Sequence, residues 1–230
     1  MIITDRFVFL HLHKSGGTFV NECLMRFLPD ARQIGYHLPR SLIPPMSASL
    51  PALGLVRNPW SYYVSWFAFQ SRRQEPNVLF RILSEERRLD FAGTVRNMLE
   101  LGRTQQRLDA LIAALPPRYT NRGLNLPGFA LQGLRGSNLG FYSYLYRYMY
   151  DAPGMMHIGR MESMRTDLVP MLVSVGQGVS AALRAYIAEE PARNTSEHGS
   201  YVEHYDSELR ELVALRDAPI IARHGYRFGD

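Results

Sequence analysis

The sequence predicts an α/β fold of three layers, a central, mainly parallel β-sheet flanked by helices. Three observations carry this. A nearly continuous apolar run from Phe7 to His13 stops at a glycine pair; a helical pattern follows at once; and a second apolar run, Ala52 to Val56, leads straight into another helix. Strands buried on both faces read as unbroken apolar runs, and strands alternating with helices favour a parallel sheet. Ligands then belong at the carboxyl ends of the strands.

The first unit is strand, glycine loop and helix. Lys14-Ser-Gly-Gly17 ends the strand, and Thr18 to Leu28 has helical spacing, with Phe19, Cys23 and Phe27 on one side, before Pro29 closes it. A Pro- and Ser-rich stretch, Pro39 to Pro51, precedes the second strand. Arg57-Asn58-Pro59 follows that strand. Asn58 is a good N-cap and Pro59 a good first helical residue, so Trp60 to Gln70 is expected to be helical. Ser71 to Leu115 reads as helical, amphipathic and arginine-rich. Pro116 to Gly140, rich in Gly, Pro and Asn, reads as a long surface loop. A late strand is expected at Met155 to Arg160, then helices around Ser180 to Glu190 and from Ser200 to Arg216. The polar loop Pro191 to Gly199 separates those two.

The 230 residues are 46% hydrophobic and 20% charged, which is ordinary globular composition for one domain spanning 1–230. A lone cysteine, Cys23, forms no internal disulfide and suits a reducing compartment. No signal-peptide pattern and no run of about 18 apolar residues is present, so a cytoplasmic protein without a membrane span is expected. The net charge of +5 favours anionic partners, but the arginines are scattered and no nucleic-acid-binding cluster stands out. Of 26 lysines and arginines, only Lys14 is a lysine. A compact ammonium approaches a crowded phosphate as a point charge where a planar guanidinium does not. That one lysine falls inside the glycine loop.

His11-Leu-His-Lys-Ser-Gly-Gly-Thr18 sits between a strand and a helix start, where backbone N–H groups of residues 15 to 18 converge on an anion, helped by the helix dipole. Gly16 and Gly17 let the backbone approach closely, and Thr18 adds a hydroxyl. The order differs from a nucleoside-triphosphate loop, in which lysine follows the glycines. A second segment, Val56-Arg-Asn-Pro-Trp-Ser-Tyr-Tyr-Val-Ser65, places Arg57 at a strand end and Ser65 two helical turns on. A guanidinium fork and a neutral hydroxyl suit a second phosphate.

Together these segments resemble the two cofactor signatures of the sulfotransferases that use 3′-phosphoadenosine 5′-phosphosulfate (PAPS), closest to the carbohydrate sulfotransferases. His11, Lys14, Ser15, Gly16, Gly17 and Thr18 match the first, with His13 where proline is usual. Val56 to Pro59 and Ser65 match the second. Ile158-Gly-Arg-Met-Glu162, Asn194-x-Ser196, Tyr201 and Gly225-Tyr-Arg-Phe228 match more loosely. The resemblance implies a single P-loop-like domain and no metal. It implies a 5′-phosphosulfate on the first motif and a 3′-phosphate on the second, adenosine 3′,5′-bisphosphate being the product.

The expected roles follow. Lys14 and the loop amides stabilise charge on the departing phosphate, and a base is needed for the attacking hydroxyl. His37 lies after the first helix, roughly where relatives carry their base, and an imidazole near its own pKa suits the task. His11 and His13 read as core or loop-bracing residues, and Glu22 as solvated or salt-bridged. Arg193 and Asn194 are candidates to close over the cofactor. The acceptor is a hydroxyl-bearing molecule, with a carbohydrate favoured, gripped by the Tyr-, Arg- and Asn-rich region 116–150. The alternatives are a P-loop-type phosphotransferase, against which the missing magnesium-binding aspartate counts, and a non-catalytic nucleotide-binding module.

Overall fold

The computed structural model describes residues 1–190 and 199–230. Its strands are β1 (Ile2–Ile3), β2 (Val8–Leu10), β3 (Arg32–Gln33), β4 (Ala52–Val56) and β5 (Met156–Arg160). Its helices begin with α1 (Gly17–Phe27), α2 (Pro59–Ser71), α3 (Val78–Leu83), α4 (Phe91–Leu99) and α5 (Gln105–Ala114). They continue with α6 (Phe141–Tyr150), α7 (Met164–Ser174), α8 (Ala181–Glu189), α9 (Ser207–Arg216) and α10 (Ala218–His224). The chain divides into two compact units, Met1–Arg57 with Tyr148–Thr195, and Asn58–Arg147 with Ser196–Asp230.

The first unit holds the sheet, in the order β3-β1-β2-β4-β5. The three longer strands run parallel, with Leu10 opposite Gly54 and Val56 opposite Arg160. The two-residue β1 and β3 add antiparallel at one edge, making the sheet mixed. Thr4 makes the β1–β2 turn, its hydroxyl donating to Phe7 O at 3.0 Å and accepting from Phe7 N at 3.0 Å. Phe7, Phe9, Leu53 and Leu55 pack on one face against Val20, Leu24, Leu168, Leu172 and Leu183 of α1, α7 and α8. On the other face the last turn of α6 lays Tyr150 over Gly54, where a Cβ would come within 2.7 Å of the ring. The Tyr150 hydroxyl donates to Leu55 O at 2.8 Å. Helices therefore flank the sheet on both sides, as the alternation of patterns predicts. The helix α7 was not foreseen; Pro170 lies inside it and reads as a breaker in sequence.

The second unit is helical. Asn58 caps α2 as expected, accepting from Trp60 N at 3.1 Å, with Pro59 at the first helical position. The stretch Ser71 to Leu115, helical in pattern, forms three short helices, with Asn77 and Asp90 capping α3 and α4. Between those two, Glu85, Glu86 and Arg87 are all left-handed, which no helix continues through. The region read as a surface loop carries a 3₁₀ segment, Gly128–Leu134, with Leu131 and Leu134 buried. Asp217, fully buried between α9 and α10, accepts from Tyr63 Oη at 2.7 Å and from Ser143 N at 2.8 Å. Tyr62 and Tyr142 stack with ring centroids 3.7 Å apart. Among the described residues no helix is long and apolar enough to cross a membrane.

Candidate functional site

Because β2 and β4 are parallel neighbours, their carboxyl ends leave the sheet at the same edge, and the residues after them meet. The chain leaves β2 through His11, Leu12 and His13, and turns at Lys14 with φ 56 and Gly16 with φ 79. Both angles are left-handed. At Gly16 a side chain would also press on Met161 Cγ at 3.1 Å and Met164 Sδ at 3.3 Å. The loop delivers the chain into α1 with Gly16 as N-cap, so no side chain caps this helix, and no acidic residue lies in its first turn. By contrast α8 is capped by Ser180 and α9 by Asp206. A helix start without a side-chain acceptor or a carboxylate keeps its N–H groups and dipole for an external anion.

Arg57, the first residue after β4, donates from Nη1 to Lys14 O at 3.3 Å. The two cations that the motifs assigned to separate phosphates thus lie on one wall. Burial, and after it the Arg57 charge, lowers the Lys14 ammonium to about 8. Ser15 is buried, and its hydroxyl donates to His13 O at 3.2 Å, bracing the loop. Thr18 is exposed on the first turn of α1.

Gly17 has a different reason to be glycine. A Cβ there would lie 2.1 Å from His11 Cδ2, so the His11 ring occupies the space a side chain would need. That ring is buried, and its Nδ1 lies 3.5 Å from Asn21 Nδ2, one turn along α1. His11 therefore braces the loop.

His37 joins the same cluster. Its Nδ1 lies 2.8 Å from His11 O. A carbonyl only accepts, so Nδ1 carries the proton and Nε2 the lone pair. The His13 ring stacks on it, with centroids 3.6 Å apart and planes at 16°, and the His11 ring closes in at 4.5 Å. Burial lowers the His37 imidazole to about 4, away from the ordinary value expected from sequence, and holds His11 well below it. Both rings are neutral at pH 7.

No family model matches the chain, and no curated protein does. Among solved structures it is similar to a mouse sulfotransferase, SULT7A1, complexed with PAP. The two share 12% identity and a TM-score of 0.49, over 96% of this chain and 89% of that one.

Lys14, Ser15, Gly16, Gly17, Thr18, Arg57 and His37 all belong to the first unit, and Lys14 and Arg57 are in direct contact there. Ser65, buried on α2, belongs to the second unit. Arg193 and Asn194 lie outside the described residues. Sequence reasoning overlooked Met161 and Met164, which flank Gly16, and the His11 carbonyl that orients His37. The repeated His-x-His at the strand exit was one available signal, and Met161 falls within the loosely matching Ile158–Glu162 stretch; nothing in sequence marks Met164.

Proposed function

We propose that this chain is a PAPS-dependent sulfotransferase, a single catalytic domain over 1–230 that moves a sulfuryl group to an acceptor hydroxyl, with a carbohydrate the favoured acceptor. The observation that carries the reading is the pairing of Lys14 and Arg57 beside the acid-free start of α1. Both cations are half-buried; their burial first, and the repulsion between the two like charges after it, lower the Lys14 ammonium. An anion between them reverses the sign.

The residues fit the donor's charge. The N–H groups at the start of α1, and Lys14, would hold its 5′-phosphosulfate, and Arg57 its 3′-phosphate; it is the sequence motifs that assign Ser65, and the sequence alone that offers Arg193 and Asn194, to that second phosphate. When bound, the donor supplies an activated sulfuryl group and an anionic leaving group. Lys14 stabilises charge growing on that leaving group, which is electrostatic catalysis without a metal. His37 takes the acceptor's proton at Nε2. Its low basicity in the free protein rises when negative charge enters the loop.

Calorimetry tests this directly. Adenosine 3′,5′-bisphosphate is expected to bind well ahead of AMP and of ATP with magnesium. Arg57→Ala should cost about 1.5–3 kcal/mol of bisphosphate affinity, the size of a charge-assisted hydrogen bond. Equal affinities for bisphosphate and AMP sink the assignment.

A further inference from the structure

His37 sits on no helix or strand. It lies in the segment between β3 and the 3₁₀ turn Arg40–Leu42, next to Tyr36, which is 44% exposed. Its backbone is left-handed, φ 49, a conformation that costs a non-glycine residue of order 1 kcal/mol and persists only when surrounding contacts impose it. Those contacts come from the exit of β2.

A hydrogen bond from Nδ1 to His11 O holds the ring at one atom only, so without further support the imidazole swings and the bond opens and re-forms, releasing the tautomer it selects. A second ring lying parallel at 3.6 Å and 16° removes the swing, because tilting either plane brings the faces into overlap. Point and plane together set the direction of Nε2. The residue supplying the plane is buried, its carbonyl accepts from Ser15 Oγ, and it directly precedes Lys14. We propose that His13 is a positioning residue: its stacked ring ties the proton-accepting nitrogen of His37 to the backbone of the anion-binding loop, so that base and donor site move as one piece.

The catalytic half of this inference rests on the sulfotransferase reading; the positional half does not. The test is therefore a pair of variants with two readouts. His13→Ala removes the plane, and His13→Phe restores a flat ring without the nitrogens. In long-range ¹H–¹⁵N spectra of the imidazoles, the parent His37 is expected as a single Nδ1–H tautomer. It should become an exchange average in His13→Ala and a single tautomer again in His13→Phe. Under saturating donor and acceptor, kcat should fall by about 10- to 100-fold in His13→Ala, the scale of a misaligned reacting group, and recover in His13→Phe. Bisphosphate affinity should hold in both. An unaltered His37 tautomer in His13→Ala overturns the proposal whatever the rate does. So does a His13→Ala variant that turns over at the parent rate, or a His13→Phe variant that restores neither signal nor rate. If the parent transfers no sulfuryl group to any acceptor, the sulfotransferase reading fails, and the tautomer spectra alone decide whether His13 positions His37.

Discussion

Replacing Gly17 with alanine sets two effects of opposite sign against each other. Gly17 lies at the start of α1 and is not among the residues with positive φ, so its backbone accepts a side chain. Helix propensity alone would then make alanine the better residue by about 0.5–1 kcal/mol. The site says otherwise. The new Cβ would lie 2.1 Å from His11 Cδ2 and 2.6 Å from His11 Cγ and Nε2. Carbon atoms pack at about 3.5–4.0 Å, so the ring must retreat by more than an ångström. It is badly placed to do so, being buried, next to Asn21 and against His37. Overpacking of this kind costs about 1–3 kcal/mol, which outweighs the gain in propensity. Gly17→Ala is therefore expected to be net destabilised in urea unfolding. The double-mutant cycle isolates the cause. In a His11→Ala background the ring is gone, and the same Gly17→Ala change should be neutral or mildly stabilising. The coupling between the two sites should then be about 1–3 kcal/mol. A Gly17→Ala protein at least as stable as the parent, or a coupling near zero, refutes the claim that His11 fills the space above Gly17.

Three further predictions follow from the charged and titrating groups. Bisphosphate binding requires the Lys14 ammonium, whose pKa in the free protein is about 8; affinity should be flat below pH 8 and fall by up to about tenfold per pH unit above it, with proton uptake on binding seen in buffers of different ionisation enthalpy. A pH-independent affinity between 7 and 9.5 contradicts it. His37→Ala should lower kcat by about 10²–10⁴-fold with bisphosphate affinity kept; near-parent turnover moves the base elsewhere. In the second unit, burial raises Asp217 from 3.8 to about 6, above its unfolded value, so its contribution to stability is fully present below pH 4 and is lost as pH rises toward 6, by about 3 kcal/mol. The Tyr63 hydroxyl opposes that rise by donating to the carboxylate, so Tyr63→Phe should cost about 1–3 kcal/mol at pH 8 and clearly less at pH 5; equal losses at the two pH values would show that Asp217 does not ionise in the fold.

Much of the site was legible because its parts are local. The left-handed turn, the paired glycines and the lone lysine lie within five consecutive residues, and Asn58 and Pro59 announce α2 as neighbours. The apolar runs of β2 and β4 stand out for the same reason: a strand buried on both faces leaves no polar alternation. What stayed hidden depends on contacts between distant residues. Two-residue strands such as β1 and β3 carry no pattern of their own and exist because an edge is there to pair with. Pro170 inside α7 reads as a stop, yet the apolar residues Leu168 and Leu172 are held in the core and outweigh it. The long region 116–140 looked exposed because its glycines and prolines masked the buried Leu131 and Leu134.

By itself the sequence determined the α/β class, the parallel strands β2, β4 and β5, and the loop from Lys14 to Thr18, because hydrophobic period, glycine placement and capping act over a few residues. Only the tertiary structure decided that Arg57 reaches Lys14, that His11 makes Gly17 obligatory, and that His13 and His37 share a stack across 24 positions of chain. Those facts arise from parallel pairing, which brings two strand ends to one edge, and from burial, which shifts the ionisation of whatever is gathered there. Neither is encoded at any single position.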